Sequence, residues 1–390
     1  MHKTRKFFLL GLGIFCVILG LTIVHLTGNL SVSVSVDSAQ EILEELGKFD
    51  LERTDGGYYS FVDIKTKKEI DQTSRAVFEG DELILADNSR YRVVEIEGDT
   101  VYCEYLGKED ISWKPKEQPA ISQGKLAQNE GRPVALYSTH TAESYVPTSG
   151  TESKPGDGDI LKVGKTISNV LQEQGIKGIM SDNKHDPHDA NAYQRSRRTA
   201  VQLLKQNPIA LIDVHRDGVP DPNFYATEID GKNATQIRLV VGRQNQNMQA
   251  NLDFAKQIKA YYDEKKPGLI KGIFMAKGNY NQDLAPRSIL IEVGTHTNSL
   301  EEAQNGAAVF ASLLPEFLGV TGTPANQQPA TETTRGTTSS LIWILLAVFV
   351  GGIVFLFIST GSLEGSFNKV RSLGKEFASF FGNIKGKDKK

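Results

Sequence analysis

The segment from about residue 131 to 318 alternates short apolar runs with amphipathic stretches, and this alternation restricts the fold more than any other feature of the chain. Runs such as VALY, ALIDV and SILIEV have the length and composition of buried strands. The stretches between them, which include RSRRTAVQLLKQ and NLDFAKQIKAYYDEK, are helical in character. Strands that alternate with helices predict an α/β fold, with a mostly parallel sheet and helices on both of its faces.

One amphipathic stretch shows the helical spacing clearly. Its apolar residues lie three or four positions apart, and they include Ile160, Val163, Ile167 and Leu171. Gly175 follows, and glycine is a common residue just beyond the end of a helix. We therefore predict a helix that begins near residue 160 and stops before Gly175.

Three of the apolar runs lead into residues that suit a metal-assisted hydrolase. His140 and Glu143 follow the run VALY. His215 ends ALIDVH, and Glu292 lies inside SILIEVG. In α/β sheets the reacting groups gather beyond the carboxyl ends of the strands, so these distant segments are predicted to form one site. Zinc held by two imidazoles and one carboxylate, with a further carboxylate as the base, is a compact way to hydrolyse an amide.

Each of these residues has a predicted role. The His-x-x-Glu pair of His140 and Glu143 lies in a short loop that can turn both side chains onto one ion, with the nitrogen about 2.0–2.1 Å from zinc. His215 has an aspartate two positions away on either side, and either can orient its ring. Glu292 lies in an apolar run, where burial raises the pKa of a carboxyl group toward the range of a general base.

Other polar residues near these runs are candidates for a further ligand or for contacts with a substrate. His185 and His188 lie in DNKHDPHDANAYQRSRR, and either can supply another ligand or belong to a solvated loop. Arg195 and Arg287 can hold a substrate carboxylate by paired hydrogen bonds. His296 follows Glu292 and is predicted to be a loop residue or to orient a neighbouring group.

The residues from 57 to 107 show a different pattern, with short alternating runs broken by Gly and Asp. This pattern predicts a small antiparallel β module, and because it contains no cluster of catalytic residue types, we interpret it as a spacer or an interaction module. A stalk with a short helix at 28–56 precedes the module, and a polar linker at 108–130 follows it.

Two uncharged apolar runs suggest that the chain crosses a membrane twice. The first run, at 7–24, is preceded by the basic segment MHKTRK, and the second, at 341–358, is followed by a basic tail at 360–390. Each is long enough for a span, so we predict transmembrane helices at 7–27 and 340–359, with a flexible linker at 319–339. Basic flanks place both termini in the cytoplasm and the central region outside. A cleaved signal peptide is the alternative for the first run, although such peptides have shorter apolar cores.

The charge and cysteine content exclude some classes of protein. The net charge is -3, which gives no reason to expect a nucleic-acid partner. The two cysteines are Cys16, inside the first apolar run, and Cys103. A disulfide within the central region is therefore not expected, which suits the surface of a Gram-positive type of cell.

Four motifs, taken in order, give a specific resemblance. STHTAESY, HD…YQRSR, IDVHRD and NQDLAPRSILIEVGTHTNSLEEA are similar to the stage II sporulation protein P family of endospore-forming bacteria, over about residues 131–318. A more distant similarity is to the zinc-dependent N-acetylmuramoyl-L-alanine amidases. The resemblance implies a peptidoglycan amidase, with endopeptidase activity in addition. It assigns zinc binding to His140 and His215, and catalysis to Glu292.

The resemblance leaves the acidic zinc ligand open. In the amidases this residue lies further along the chain, where Glu152 and Asp159 are available. Glu143 matches instead the His-x-x-Glu arrangement of zinc carboxypeptidases, and we select it because the short loop gives the simplest geometry. The second apolar run also departs from the single anchor associated with the family.

These observations predict a membrane-anchored zinc hydrolase that cleaves the N-acetylmuramoyl-L-alanine bond outside the cell membrane. The resemblance implies that it thins the septal wall during engulfment from the mother-cell membrane, together with stage II sporulation proteins D and M. The alternatives are a zinc peptidase that acts only on stem peptides and a non-catalytic membrane scaffold that binds the cell wall.

Overall fold

The computed structural model describes residues 51–113 and 131–320, apart from Thr54 and Ala190, and its central feature is a mixed sheet of eleven strands. In chain order the strands are β1 (Tyr59–Asp63), β2 (Glu69–Thr73), β3 (Glu82–Leu85), β4 (Ser89–Glu97), β5 (Thr100–Lys108), β6 (Val134–Tyr137), β7 (Gly178–Met180), β8 (Ala210–Asp217), β9 (Ala226–Ile229), β10 (Lys232–Thr235), β11 (Ile237–Gly242), β12 (Ile270–Ala276) and β13 (Ser288–Thr295). The α-helices are α1 (Val146–Ser149), α2 (Ile160–Glu173), α3 (Ala192–Leu204), α4 (Met248–Lys265) and α5 (Leu300–Leu318). Short 3-10 turns lie at Pro222–Phe224 and Gln282–Leu284.

The strands of the large sheet are ordered β2-β1-β5-β4-β3-β12-β11-β13-β8-β6-β7, and β9 pairs with β10 in a separate hairpin. At one end of the sheet β7, β6, β8 and β13 run parallel to one another. β11 is antiparallel to β13 and parallel to β12. The predicted α/β architecture is confirmed, but the sheet as a whole is mixed and not mostly parallel, because antiparallel pairings join β2 to β1, β5 to β4, β4 to β3, β3 to β12 and β11 to β13.

Helices cover both faces of the parallel end of the sheet. On one face Val163 of α2 belongs to the same buried cluster as Leu136 of β6. On the other face Ala200 of α3 shares a cluster with Ala135 and Tyr137 of β6. Successive residues of a strand point to opposite faces, so a strand buried on both sides reads as one continuous apolar run. This is why VALY shows no alternation of apolar and polar residues.

The ends of two helices follow from local sequence. The helix predicted from the spacing after Ile160 begins at that residue, and Gly175 has a φ of 76° just beyond its end, as predicted. α5 begins with a capping box, in which the Ser299 hydroxyl accepts the amide of Glu302 and the Glu302 carboxylate accepts the amide of Ser299. It ends at Gly319, whose φ of 64° suits a residue without a side chain.

The strands between residues 57 and 107 are continuous with the main sheet, which their sequence pattern did not indicate. β3 pairs with β12 in antiparallel register, and β1 pairs with β5 in parallel register. Phe61 and Val101 of these strands belong to the same buried cluster as Val240 of β11 and Leu290 of β13. These strands therefore pack on the α/β segment and are not held apart from it.

Several sequence predictions fall on residues outside the described part of the chain. No helix among residues 51–113 and 131–320 has the length and apolar character needed to cross a membrane. The segments that lie wholly or largely outside these ranges are the predicted spans at 7–27 and 340–359, the stalk at 28–56, the linkers at 108–130 and 319–339, and the tail at 360–390.

The pairing of β3 with β12 leads to a stability prediction for Gly272→Ala. A Cβ at Gly272 would lie 2.6 Å from the carbonyl oxygen of Ile84, a backbone atom of β3 that cannot move without disturbing the pairing. We expect this variant to lose about 1–3 kcal/mol of unfolding free energy, measured by urea denaturation.

The matched control is Gly164→Ala in α2. The three atoms nearest to its Cβ would all belong to the side chain of Met180, whose flexible thioether can rotate away. Alanine also favours a helix over glycine by about 1 kcal/mol, so the control should be as stable as the parent or more so. Equal stability of the Gly272 variant and the parent would show that the two strands are not tightly paired.

Candidate metal and catalytic site

Three neighbouring parallel strands bring the predicted site residues to one edge of the sheet. His140 and Glu143 lie in the loop after β6, His215 is near the end of β8, and Glu292 is near the end of β13. β8 lies between β6 and β13, and Glu292 is in register with His215. All four side chains are buried, with His140 the most exposed residue at 2%. The structure thus brings together the residues predicted from separate motifs.

Two imidazoles approach one carboxylate oxygen in this site. Glu143 Oε1 lies 3.1 Å from His140 Nδ1 and 3.0 Å from His215 Nδ1. The other oxygen, Oε2, accepts the backbone N–H of Arg216 at 2.9 Å. Two imidazole nitrogens and a carboxylate oxygen are donors that zinc prefers, so these residue types fit a zinc ion. His215 is not among the described residues whose ligand atoms all lie within 4.8 Å of one another, which are Glu52, His140, Glu143 and His188.

The electrostatics of the two histidines agree with a cation at that point. Burial lowers the pKa of His140 to about 3, so this imidazole is neutral, as a metal ligand must be. Burial also disfavours the charged form of His215, but the charges of Asp213 and Glu143 outweigh it and raise the pKa to about 10. His215 Nε2 lies 3.0 Å from Asp213 Oδ1. The carboxylates of Asp213 and Glu143 therefore favour a positive charge at this point.

Thr139, which lies between β6 and His140, holds the Asp213 carboxylate in place. It accepts the backbone N–H of Thr139 at 2.8 Å and the Thr139 hydroxyl at 2.6 Å. Asp213 thus lies beside the ring of His215, as predicted for a flanking aspartate, although His215 Nε2 has no hydrogen bond of good geometry within the described residues. Asp217, the other flanking aspartate, accepts hydrogen bonds from Ser74 and Tyr225 and pairs with Arg238.

Two further residues, Glu52 and His188, lie close to the ligand atoms of His140 and Glu143. Ligand atoms of Glu52, His140, Glu143 and His188 all lie within 4.8 Å of one another, and the His188 ring stacks on His140 at 3.6 Å. Glu52 Oε2 is 3.5 Å from His188 Nε2 and 4.0 Å from His140 Nδ1. Neither Glu52 Oε2 nor His188 Nε2 has a hydrogen-bond partner in the described part of the chain.

Glu292 lies beside this donor set in a network of charged and hydroxyl groups. Its Oε1 accepts a hydrogen bond from Arg75 Nε, and its Oε2 accepts one from the Tyr225 hydroxyl at 3.1 Å. Arg238 Nη1 is 3.8 Å from Oε2 and also pairs with Asp217 at 3.0 Å. Burial, followed by the charge of Asp217, raises the pKa of Glu292 to about 7. A carboxyl group with such a pKa can accept and release a proton near neutral pH.

Sequence reasoning missed Glu52 and Arg75. Glu52 falls in the segment predicted to be a stalk, and Arg75 falls in the β module that was interpreted as a spacer without catalytic groups. That interpretation needs correction, because the Arg75 side chain is 1% exposed and paired with Glu292. Neither residue ends an apolar run, so no local pattern pointed to it.

Of the residues proposed as further ligands or substrate contacts, His185 and Arg195 have structural partners, and Arg287 lies away from the site. His185 Nδ1 lies 2.8 Å from the Ser138 carbonyl, and its Nε2 lies 2.8 Å from the Thr199 hydroxyl, so both ring nitrogens are engaged. Arg195 donates to the carbonyls of His185 and Pro187 and to Asp189, which holds this loop together. Arg287 is exposed just before β13, at the opposite end of that strand from Glu292.

The acidic alternatives to Glu143 lie apart from the two imidazoles. Asp159 Oδ2 accepts the Ser149 hydroxyl at 2.6 Å, and its Oδ1 pairs with Lys162 at 2.8 Å. The side chain of Glu152 is exposed. His296 is buried at the end of β13, but the ligand cluster described above does not include it. Glu143 is thus the acidic candidate that contacts both His140 and His215.

Comparison with known proteins gives one family and several related structures. The family model "Stage II sporulation protein P (SpoIIP)" matches residues 64–315. Stage II sporulation protein P of Bacillus subtilis (strain 168) is 31% identical over 212 residues, which cover 50% of this chain and 53% of the relative. This chain therefore spans about half the length of that curated relative.

Solved structures of N-acetylmuramoyl-L-alanine amidases are also similar. The catalytic domain of CwlV from Bacillus (Paenibacillus) polymyxa var. colistinus is 16% identical, with a TM-score of 0.32, and the match covers 48% of this chain and 99% of that one. An amidase from Clostridium difficile 630 is 16% identical, with a TM-score of 0.29, over 49% of this chain and 94% of that one.

The convergence of donors predicts which variants lose zinc. His140→Ala, Glu143→Ala and His215→Ala should each bind zinc far more weakly than the parent, because each removes one of three converging ligands. Metal content after purification, measured by elemental analysis, should fall to a small fraction of one ion per chain. Glu152→Ala is the matched control and should keep its metal, since this carboxylate is exposed. If Glu152→Ala loses zinc while Glu143→Ala keeps it, the acidic ligand is misassigned.

Proposed function

Because the chain belongs to the stage II sporulation protein P family, whose model matches residues 64–315, we propose that it is a peptidoglycan hydrolase that acts in sporulation. The family predicted from the four sequence motifs is confirmed. The observation that carries the proposed chemistry is the convergence of His140, Glu143 and His215 next to a buried carboxylate, Glu292.

In this proposal His140, Glu143 and His215 hold a zinc ion. When bound there, zinc supplies a Lewis acid for the scissile carbonyl and lowers the pKa of water to about 7. Glu292 accepts the proton of the attacking water and passes it to the leaving nitrogen, for which its raised pKa is suited. Tyr225 and Arg238 hold the Glu292 carboxylate in position.

The bond proposed to be cleaved is the amide between the lactyl group of N-acetylmuramic acid and L-alanine of the stem peptide. Support for this choice comes from the four motifs shared with the family and from a donor set suited to amide hydrolysis. We also propose, from the two apolar runs and their basic flanks, that the chain is anchored in the cell membrane with this site outside. Cooperation with stage II sporulation proteins D and M belongs to the same proposal.

Glu292→Gln tests the role of the base. The amide keeps the size of the side chain but cannot accept the proton, so we expect hydrolysis to fall by about 10²–10⁴-fold while bound zinc is retained. Purified peptidoglycan would be digested and the products identified by mass spectrometry. An amidase releases intact stem peptides and leaves the lactyl group of the glycan bare, whereas a peptidase leaves L-alanine attached.

Glu228→Gln is the matched control, because Glu228 is an exposed strand carboxylate on β9. It should hydrolyse peptidoglycan at the parent rate. An active Glu292→Gln variant would eliminate Glu292 as the base, and products that keep L-alanine on the glycan would replace the amidase with a stem-peptide peptidase.

A further inference from the structure

Two short backbone segments form a ribbon over the candidate site. We name residues 51–53 and 73–76 the closing ribbon. The amide of Arg53 donates to the Ser74 carbonyl at 2.8 Å, and the amide of Ala76 donates to the Leu51 carbonyl at 2.9 Å. Glu52 and Arg75 are therefore directly opposite each other in an antiparallel bridge. Side chains of such a pair project from the same face, which explains how both enter the site.

The Glu52 end of the ribbon reaches the candidate metal ligands. Glu52 Oε1 accepts hydrogen bonds from Arg216 Nη1 and the Ser74 hydroxyl, both at 2.8 Å. The other oxygen, Oε2, is buried without a hydrogen-bond partner in the described residues, 4.0 Å from His140 Nδ1 and 3.5 Å from His188 Nε2. A buried carboxylate oxygen without a donor is unfavourable, and a cation next to it would remove that cost.

The Arg75 end of the ribbon reaches the candidate base. Arg75 Nε donates to Glu292 Oε1, and both groups are buried. The two terminal nitrogens of Arg75, Nη1 and Nη2, are also buried and have no hydrogen-bond partner in the described structure. The ribbon thus carries an anion toward the place where a cation would bind and a cation toward the carboxylate of Glu292.

The ribbon is fastened to the end of β8. The backbone N–H of Ser74 and its hydroxyl each donate to Asp217 Oδ1 at 2.9 Å, and the Gly218 amide donates to the Ser74 hydroxyl at 2.8 Å. A Cβ at Gly218 would lie 2.6 Å from that hydroxyl oxygen, so the ribbon packs against this backbone without space for a side chain. With the ribbon in place Glu143, His215 and Glu292 are completely buried. A cell-wall polymer cannot reach them.

We propose that the closing ribbon is an intramolecular latch. In the latched form Glu52 is an additional ligand to the metal, and Arg75 forms an ion pair with the base Glu292. The latched form holds its metal tightly and does not hydrolyse the wall, and movement of the ribbon exposes the site. The inhibitory consequence rests on the proposed function, whereas the ligand role of Glu52 does not.

The first experiment compares Glu52→Gln and Glu52→Ala with the full parent chain. Glutamine keeps the size of the side chain and can still accept from Ser74, which guards against misfolding. If about a tenth or less of the parent molecules are open, loss of the latch should make hydrolysis about tenfold faster in both variants than in the parent. Loss of one group at the metal predicts zinc affinity about 10–100-fold weaker in competition with a chromogenic chelator.

The control is Glu69→Gln, which changes an exposed carboxylate on β2 that contacts Ser60 and Gln72. It should alter neither rate nor zinc affinity. Slower or unchanged hydrolysis in both Glu52 variants would overturn the latch and would make Glu52 part of the active machinery or of the fold. Unchanged zinc affinity would overturn the ligand role.

The second experiment measures hydrogen exchange at the ribbon. The amides of Arg53 and Ala76 are bonded across it, so opening must expose them. Addition of soluble glycan fragments that lack stem peptides, which the parent cannot hydrolyse, should speed exchange in the peptides of the parent protein that contain these amides, and no change would count against the latch. If the parent does not hydrolyse peptidoglycan but Glu52→Gln loses zinc affinity, the proposed function fails and the ligand role stands. If hydrolysis depends on Glu292 and Glu52→Gln is no faster, the latch alone fails.

Discussion

The burial of Glu143, in the loop after β6, and of Glu292, near the end of β13, is the constraint on which the rest of this structure depends. Removal of a carboxylate from water is very unfavourable unless hydrogen bonds or opposite charges replace the lost hydration. Glu143 obtains them from two imidazoles and the Arg216 amide. Glu292 obtains them from Tyr225 and from Arg75, which follows β2 in the N-terminal part of the described chain. The need to satisfy these two groups ties the N-terminal strands to the α/β segment.

The site residues that sequence could predict share one physical feature. His140, His215 and Glu292 each interrupt or end an apolar run, where a polar side chain is costly and therefore informative. The order of the parallel strands then places them together, since carboxyl ends of neighbouring strands meet at one edge. Glu143 was less certain because its rivals Glu152 and Asp159 occupy equally polar sequence. Its contacts with both imidazoles, together with the exposure of Glu152 and the other partners of Asp159, separate it from them.

Glu52 and Arg75 could not be predicted for the opposite reason. Both lie in polar sequence, where a charged residue is expected at the surface. Their burial depends on pairing between segments far apart in the chain, β3 with β12 and residue 74 with Asp217. Alternation along a strand predicts which face is buried, but it does not identify the strand that pairs at an open edge. The pairing of the N-terminal strands with the main sheet could therefore not be predicted from the sequence, although their strand character could.

The distribution of charge explains why a cation belongs at one half of this site and not at the other. Around Glu292 the acidic groups Asp71 and Asp217 are matched by the guanidinium groups of Arg75 and Arg238, with Lys271 nearby. Around Glu143 the balance is negative. The carboxylates here are Glu52, Glu143 and Asp213, and the Arg216 guanidinium pairs with Glu52. The low pKa values of His140 and His188, both about 3, leave these rings neutral.

In the described residues that contact Glu143 and Asp213, the proton on His215 is what offsets this excess. A divalent ion would displace that proton and provide one more positive charge in its place, next to the unpaired oxygen of Glu52. The charges also determine which end of the ribbon lies at which half of the site. Its carboxylate approaches the half of the site that attracts a cation, and its guanidinium approaches the half where a carboxylate must keep its charge in a buried position. A ribbon with these two charges exchanged would place its carboxylate beside the buried carboxylate of Glu292, where it would be repelled.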